Sequence, residues 1–139
     1  MEKILKRATI YCQAIQRNKA VMDMQRAIGD LWTVVPALES FYLESGRGRW
    51  ANAMKIAEDG LWGPKTTTAL QAVQELYDAA APYIQQRSGA IVTVQAPEDP
   101  TQVATGNAQR ISWLNTVLAR WIESSEAQKL LNQKRMTGY

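Results

Sequence analysis

Asp59-Gly60-Leu61-Trp62-Gly63-Pro64-Lys65-Thr66 combines a sharp turn, an aromatic side chain that needs cover and a helix start in consecutive positions, and that combination decides the fold. Asp-Gly favours a tight turn, because the carboxylate accepts backbone N–H groups two residues on and glycine takes positive φ without a Cβ clash. Leu61 and Trp62 form a short apolar clamp. Gly63 suits the N-cap and Pro64 the first helical position, where no N–H is needed, and Thr66 can offer its hydroxyl to the exposed amides of the first turn. A helix is therefore predicted from about Pro64.

Outward from this turn the chain reads as helices. Trp50, Ala53, Met54 and Ala57 predict a short helix leading into it, and Leu70, Val73, Leu76 and Tyr77 carry the helix opened by Pro64 as far as Pro82, which kinks or ends it. Near the N-terminus Ile4, Ala8, Tyr11 and Ile15 recur at helical spacing over residues 2–16. The pattern resumes with Val21, Met24, Ile28, Leu31 and Trp32, leaving open whether the first helix runs on or breaks near Asn18. Pro36 marks a restart, with Leu38, Phe41 and Tyr42 on its apolar face, and Ser45-Gly46-Arg47-Gly48 ends it. Residues 90–95 are the one β-like run, too short and isolated for a sheet, and are expected as an extended strap. Residues 97–107 read as a linker because of Pro97 and Pro100. A last helix is predicted from about Asn107 to Gln133, with Ile111, Leu114, Leu118, Trp121 and Ile122 on its stripe and Leu130-Leu131 extending it. The fold class expected is all-α, a small helical bundle with a short extended strap.

A chain of 139 residues fits one domain and can bury enough surface to fold without a disulfide or metal. Cys12 is the single cysteine, so no internal disulfide is expected. The net charge of +3 is uneven: residues 1–29 hold six basic and two acidic side chains, residues 30–139 ten and eleven. The basic residues are spread out without interleaved aromatics, so nucleic acid is not an expected partner. No apolar segment follows Lys3, Lys6 and Arg7, so no signal peptide is expected. The longest apolar stretch, residues 31–38, contains Thr33 and Pro36 and is too short to span a bilayer.

Histidine is absent, which removes histidine-based acid–base pairs and triads and leaves one cysteine for any zinc site; no cofactor or metal is expected. Gly46-Arg47-Gly48 lacks the pattern of a phosphate-binding loop. Glycoside hydrolysis needs only two carboxyl groups, for which Glu39 and Glu44 are candidates, but their spacing sets them roughly 140° apart on a continuous helix. Glu58-Asp59 is better explained as helix end and turn. Binding is the stronger expectation. Trp32, Trp50, Trp62, Trp113 and Trp121 are many for a chain with one Phe, and tryptophan suits sugar stacking or interface anchoring. Trp62 reads as structural within its turn, while Trp113, beside the main stripe of its helix, and Trp121 are the candidate interface residues.

The run Asp59-Gly60-x-Trp62-Gly63-Pro64-x-Thr66, followed by Ala69-Leu70 and Gln74, resembles the signature of the peptidoglycan-binding-domain-like family. Met24-Gln25-Arg26-Ala27-Ile28 resembles that family's upstream Leu-Gln-x-x-Leu-like helix, with 33 residues between Gln25 and Asp59, a gap that a large insertion or a turn motif reused in another helical fold would explain, and Val73 stands where the family usually has an aromatic. The resemblance implies a peptidoglycan-binding-like helical core over residues 20–86 with a ligand groove near the turn, which makes Asp59, Gly60, Trp62, Gly63 and Thr66 the candidate binding residues. Residues 1–19 then form a basic amphipathic helix, 87–106 a strap or linker and 107–139 a C-terminal amphipathic helix. Terminal helices of this kind suit a subunit that clasps its neighbours. With no export signal expected, the resemblance suggests a non-enzymatic structural component of a bacteriophage virion, tail, baseplate or capsid-associated, made in the host cytoplasm. Its expected partners are other protein subunits and peptidoglycan. The alternatives are a cell-wall binding module and a small muramidase-like hydrolase.

Overall fold

A computed structural model describes residues 17–31, 34, 49–84 and 89–129. Among them lie four helices and no strand: α1 (Lys19–Asp30), α2 (Arg49–Met54), α3 (Pro64–Ile84) and α4 (Pro100–Glu123), with a further helical turn over 125–129. The chain is all-α, as expected. The helix expected over 2–16 with Cys12, Trp32, the segment from Pro36 through Gly48 with Glu39 and Glu44, and Leu130-Leu131 lie outside the described residues.

Side-chain caps set where the helices begin. Asn18 is extended (φ −82°, ψ 116°) and its Oδ1 accepts the Val21 N–H at 3.2 Å, so a helix starts afresh at Lys19. Pro64 opens α3, whose first turn closes through the Thr67 N–H to the Gly63 carbonyl at 3.1 Å. Pro82 lies within the last turn of that helix, which ends at Ile84. The last helix departs from expectation at both ends. It begins at Pro100 rather than near Asn107, because Asp99 caps the Gln102 N–H at 3.1 Å and Pro100 occupies the first turn. The proline read as a linker residue is a helix initiator. It stops at Glu123, well before Gln133. Ser124 leaves the helical region (ψ 150°) and its hydroxyl oxygen accepts the Ala127 N–H at 3.1 Å to begin the next turn.

α1 and α4 form the most extensive helix pair. Asn18 reaches Thr101 and Met24 reaches Asn107, both across a sequence separation of 83, so the helices run parallel with a fixed register. The buried residues follow that register. Val21, Met24, Ile28 and Leu31 recur, at the same offset of 83, as Ala104, Asn107, Ile111 and Leu114, and α4 continues the stripe with Leu118 and Trp121. Alternating steps of three and four keep one seam facing the partner helix. Parallel neighbours cannot be joined by a short loop, and the connection here includes α2, the Asp-Gly turn and α3.

α2 packs on α3, placing Trp50, Ala51 and Met54 against a stripe that includes Leu70, Val73, Leu76 and Ala80. Trp50 is 2% exposed and its indole N–H donates to Glu75 Oε2 at 3.0 Å. Each fully buried aliphatic side chain contributes about 1.5–3 kcal/mol relative to exposure, so this shared core of α1, α3 and α4 fixes where the connecting turn sits. Residues 90–95 form neither helix nor strand. Ile91 is buried and its N–H meets Gln74 Oε1 at 2.7 Å. Asn107 serves both backbone groups of Val92, accepting its N–H and donating to its carbonyl, each at 3.0 Å. One carboxamide thus does for the strap what a neighbouring strand does in a sheet.

Candidate functional site

The Asp59–Thr66 turn closes over Gln25, a polar side chain of α1 that is only 1% exposed. Its Oε1 accepts the Gly60 N–H at 2.9 Å. Its Nε2 faces Asp59 Oδ1 at 3.1 Å, the Leu61 carbonyl at 3.2 Å and Thr66 Oγ1 at 3.2 Å. Two N–H bonds shared among three acceptors leave no unmet donor on that nitrogen. Asp59 Oδ1 also accepts the Leu61 N–H at 2.9 Å, closing the local turn expected of Asp-Gly. Thr66, 3% exposed, donates to the Leu61 carbonyl at 3.4 Å. Its hydroxyl therefore works inside the corner rather than on the first-turn amides of α3, as the sequence had suggested, because α1 brings a buried carboxamide within reach.

Gly60 is required twice over. Its φ is +72°, and a Cβ there would lie 2.8 Å from Arg17 Cβ and 2.9 Å from the Asn18 nitrogen. The close approach lets Asn18 donate its N–H to the Gly60 carbonyl at 3.2 Å, while Asn18 Nδ2 donates to Thr101 Oγ1 at 3.0 Å. The turn, the start of α1 and the start of α4 are thereby tied at one residue. Outside the corner Arg26 and Glu58 form an exposed ion pair at 3.3 Å.

Beside the corner is an open groove of about 500 Å³, with Ile56, Leu61 and Pro64 as apolar lining and Lys55 and Lys65 as its cationic residues. Asp59 and Thr66 also reach it. A second hollow of about 340 Å³ adjoins it, sharing both lysines and extending to Asn52 and Thr68. Neither lysine has an ion-pair partner among the described residues. This arrangement can hold an extended ligand that carries negative charge and some apolar surface.

The structure brings Asp59, Gly60, Trp62, Gly63 and Thr66 together, but in different roles. Gly60 and Thr66 are buried and structural, while Asp59 and Gly63 are half-buried at the groove. Trp62 is half-buried and its indole N–H donates to Thr67 Oγ1 at 3.1 Å, so it braces the first turn of α3. The candidate interface residues diverge. Trp121 is 8% exposed and belongs to the core; Trp113 is half-buried beside Tyr77, with ring centroids 6.0 Å apart. Sequence reading missed Lys55 and Lys65 as a pair, because only the tertiary turn brings the end of α2 alongside the start of α3. Comparison with family models, with curated proteins and with solved structures gives no match in any of the three.

Proposed function

We propose that this protein is a non-enzymatic structural component of a bacteriophage virion, built on a peptidoglycan-binding-like fold. The observation that carries this reading is the closed Gln25 corner: Asp59 Oδ1, the Gly60 N–H and the Thr66 hydroxyl are already bonded to Gln25 or within the turn itself. Residues so occupied serve architecture. The correspondence of Met24-Gln25-Arg26-Ala27-Ile28 with the family's upstream helix also gains support, since Gln25 is the residue that clasps the Asp-Gly turn. Mass spectrometry and immunogold labelling of particles purified from a host carrying this gene test the reading. Repeated copies at one position on the particle are expected, and particles devoid of the protein refute it.

A second reading, a cell-wall binding module, is favoured by the groove itself, since peptidoglycan stem peptides carry carboxylates that the exposed Lys55 and Lys65 can meet. Co-sedimentation with purified sacculi is then expected, and is lost in Lys55→Glu/Lys65→Glu with the helical circular dichroism intact. Sacculi that leave the wild-type protein in the supernatant exclude this second reading.

A further inference from the structure

Among the described residues two large hydrophobic side chains are exposed, Leu61 at 45% and Val94 at 53%. Leu61 lines the lysine groove; Val94 lies on the strap, four positions before the exposed Glu98. The groove therefore pairs an apolar side chain with two cations that have no ion-pair partner among the described residues, and the strap pairs an apolar side chain with the acidic Glu98 and Asp99. Two hydrogen bonds tie the segments that carry these halves. Gly60, between the groove residues Asp59 and Leu61, bonds Asn18, and Asn18 bonds Thr101, two residues past Asp99. A basic–apolar patch and an acidic–apolar patch on one chain complement each other between two copies related by a two-fold rotation, which is what an isologous contact requires.

We propose that these two patches dock a second copy of the chain, the strap end of each protomer, with Val94 and Glu98, entering the Lys55–Lys65 groove of the other. Asp99 contributes charge, but its carboxylate is already the cap of α4, accepting the Gln102 N–H. Glu98 has no such duty and is the carboxylate free to cross the interface. Lys55 and Lys65 sit on separate segments, the loop after α2 and the first turn of α3, so a single extended strand can pass between them. The inference stands apart from the virion setting, since pairing can fail while the protein is still found in particles, and pairing can occur in a protein absent from them.

Sedimentation equilibrium of the full chain at low and raised salt tests it. A concentration-dependent dimer is expected, weakening as salt screens the charge pairs. Lys55→Glu/Lys65→Glu and, separately, Glu98→Lys should each weaken the dimer by about tenfold or more, as loss of complementary charge across an interface does. Combining the three reversals should restore it. All three side chains are exposed, and unchanged circular dichroism verifies the fold; Glu98→Lys, outside the groove, carries the test should the double variant misfold. A wild-type protein that stays monomeric at every concentration and salt overturns the proposal. So does a dimer indifferent to the reversals, or one not recovered in the triple variant. Lysines that matter only for sedimentation with sacculi overturn it too, in favour of the wall as occupant.

Discussion

Among the described residues two buried carboxamides, Gln25 and Asn107, hold non-helical backbone, and they do it differently. Gln25, on α1, meets the Asp-Gly turn through the Gly60 amide, the Leu61 carbonyl and the side chains of Asp59 and Thr66. Asn107, on α4 and fully buried, meets the strap only through the two backbone groups of Val92. At the first site the partners must have particular side chains and one must be glycine. At the second, any residue other than proline at position 92 supplies both bonds. The corner is specified by particular side chains acting together, the strap by bonds to its backbone alone, from Asn107 at Val92, Gln74 at Ile91 and Arg110 at Ala90.

Breaking the corner should cost more than breaking the strap. The largest effect is expected for Gly60→Ala: positive φ without glycine costs about 1–3 kcal/mol and a Cβ pressed on Arg17 and Asn18 adds about 1–3 more. Thermal unfolding should show a loss of about 4 kcal/mol. Gln25→Ala removes a carboxamide with four hydrogen-bond contacts and strands the buried Gly60 amide, for a loss of about 3 kcal/mol in urea unfolding. Asn107→Ala should cost about 2 kcal/mol. Its signature is local, with hydrogen exchange at the Val92 amide accelerating while the Gly60 amide keeps its protection. If the two amides lose protection together in Asn107→Ala, the regions are one cooperative unit and the contrast between them fails. The smallest effect is expected outside the corner. Arg26→Ala removes an ion pair whose side chains are 62% and 43% exposed, and should shift stability by less than about 0.5 kcal/mol.

The same contrast explains what could be read from the sequence. The corner was legible because Asp59, Gly60 and Pro64 each have a local conformational preference strong enough to survive without knowledge of the neighbours. The partner Gln25 was placed by family resemblance alone, and its burial was not foreseen, since nothing local marks a glutamine as buried. The strap was legible as non-helical, but not its tether: Asn107 sits at a seam position of α4 where periodicity alone predicts a hydrophobe. Pro100 was misread because proline both breaks and initiates helices, and the deciding neighbour is the capping Asp99. The lysine groove was not legible at all, because Lys55 and Lys65 meet only once the turn has formed.

The parallel register of α1 and α4 also bears on how quickly the chain finds its structure. Helical proteins usually fold fast because their contacts are close in sequence, whereas here the central seam joins residues 83 apart. α3 and the Asp-Gly turn can form from neighbouring segments, but the seam cannot zip until the whole intervening chain has been brought round, and that closure carries its entropy before any seam contact repays it. Refolding is therefore expected at the pace of mixed α/β domains, roughly milliseconds rather than the microseconds of local helical bundles. Stopped-flow fluorescence, with Trp50 reporting on the α2–α3 contact and Trp121 on the seam, should separate the two events.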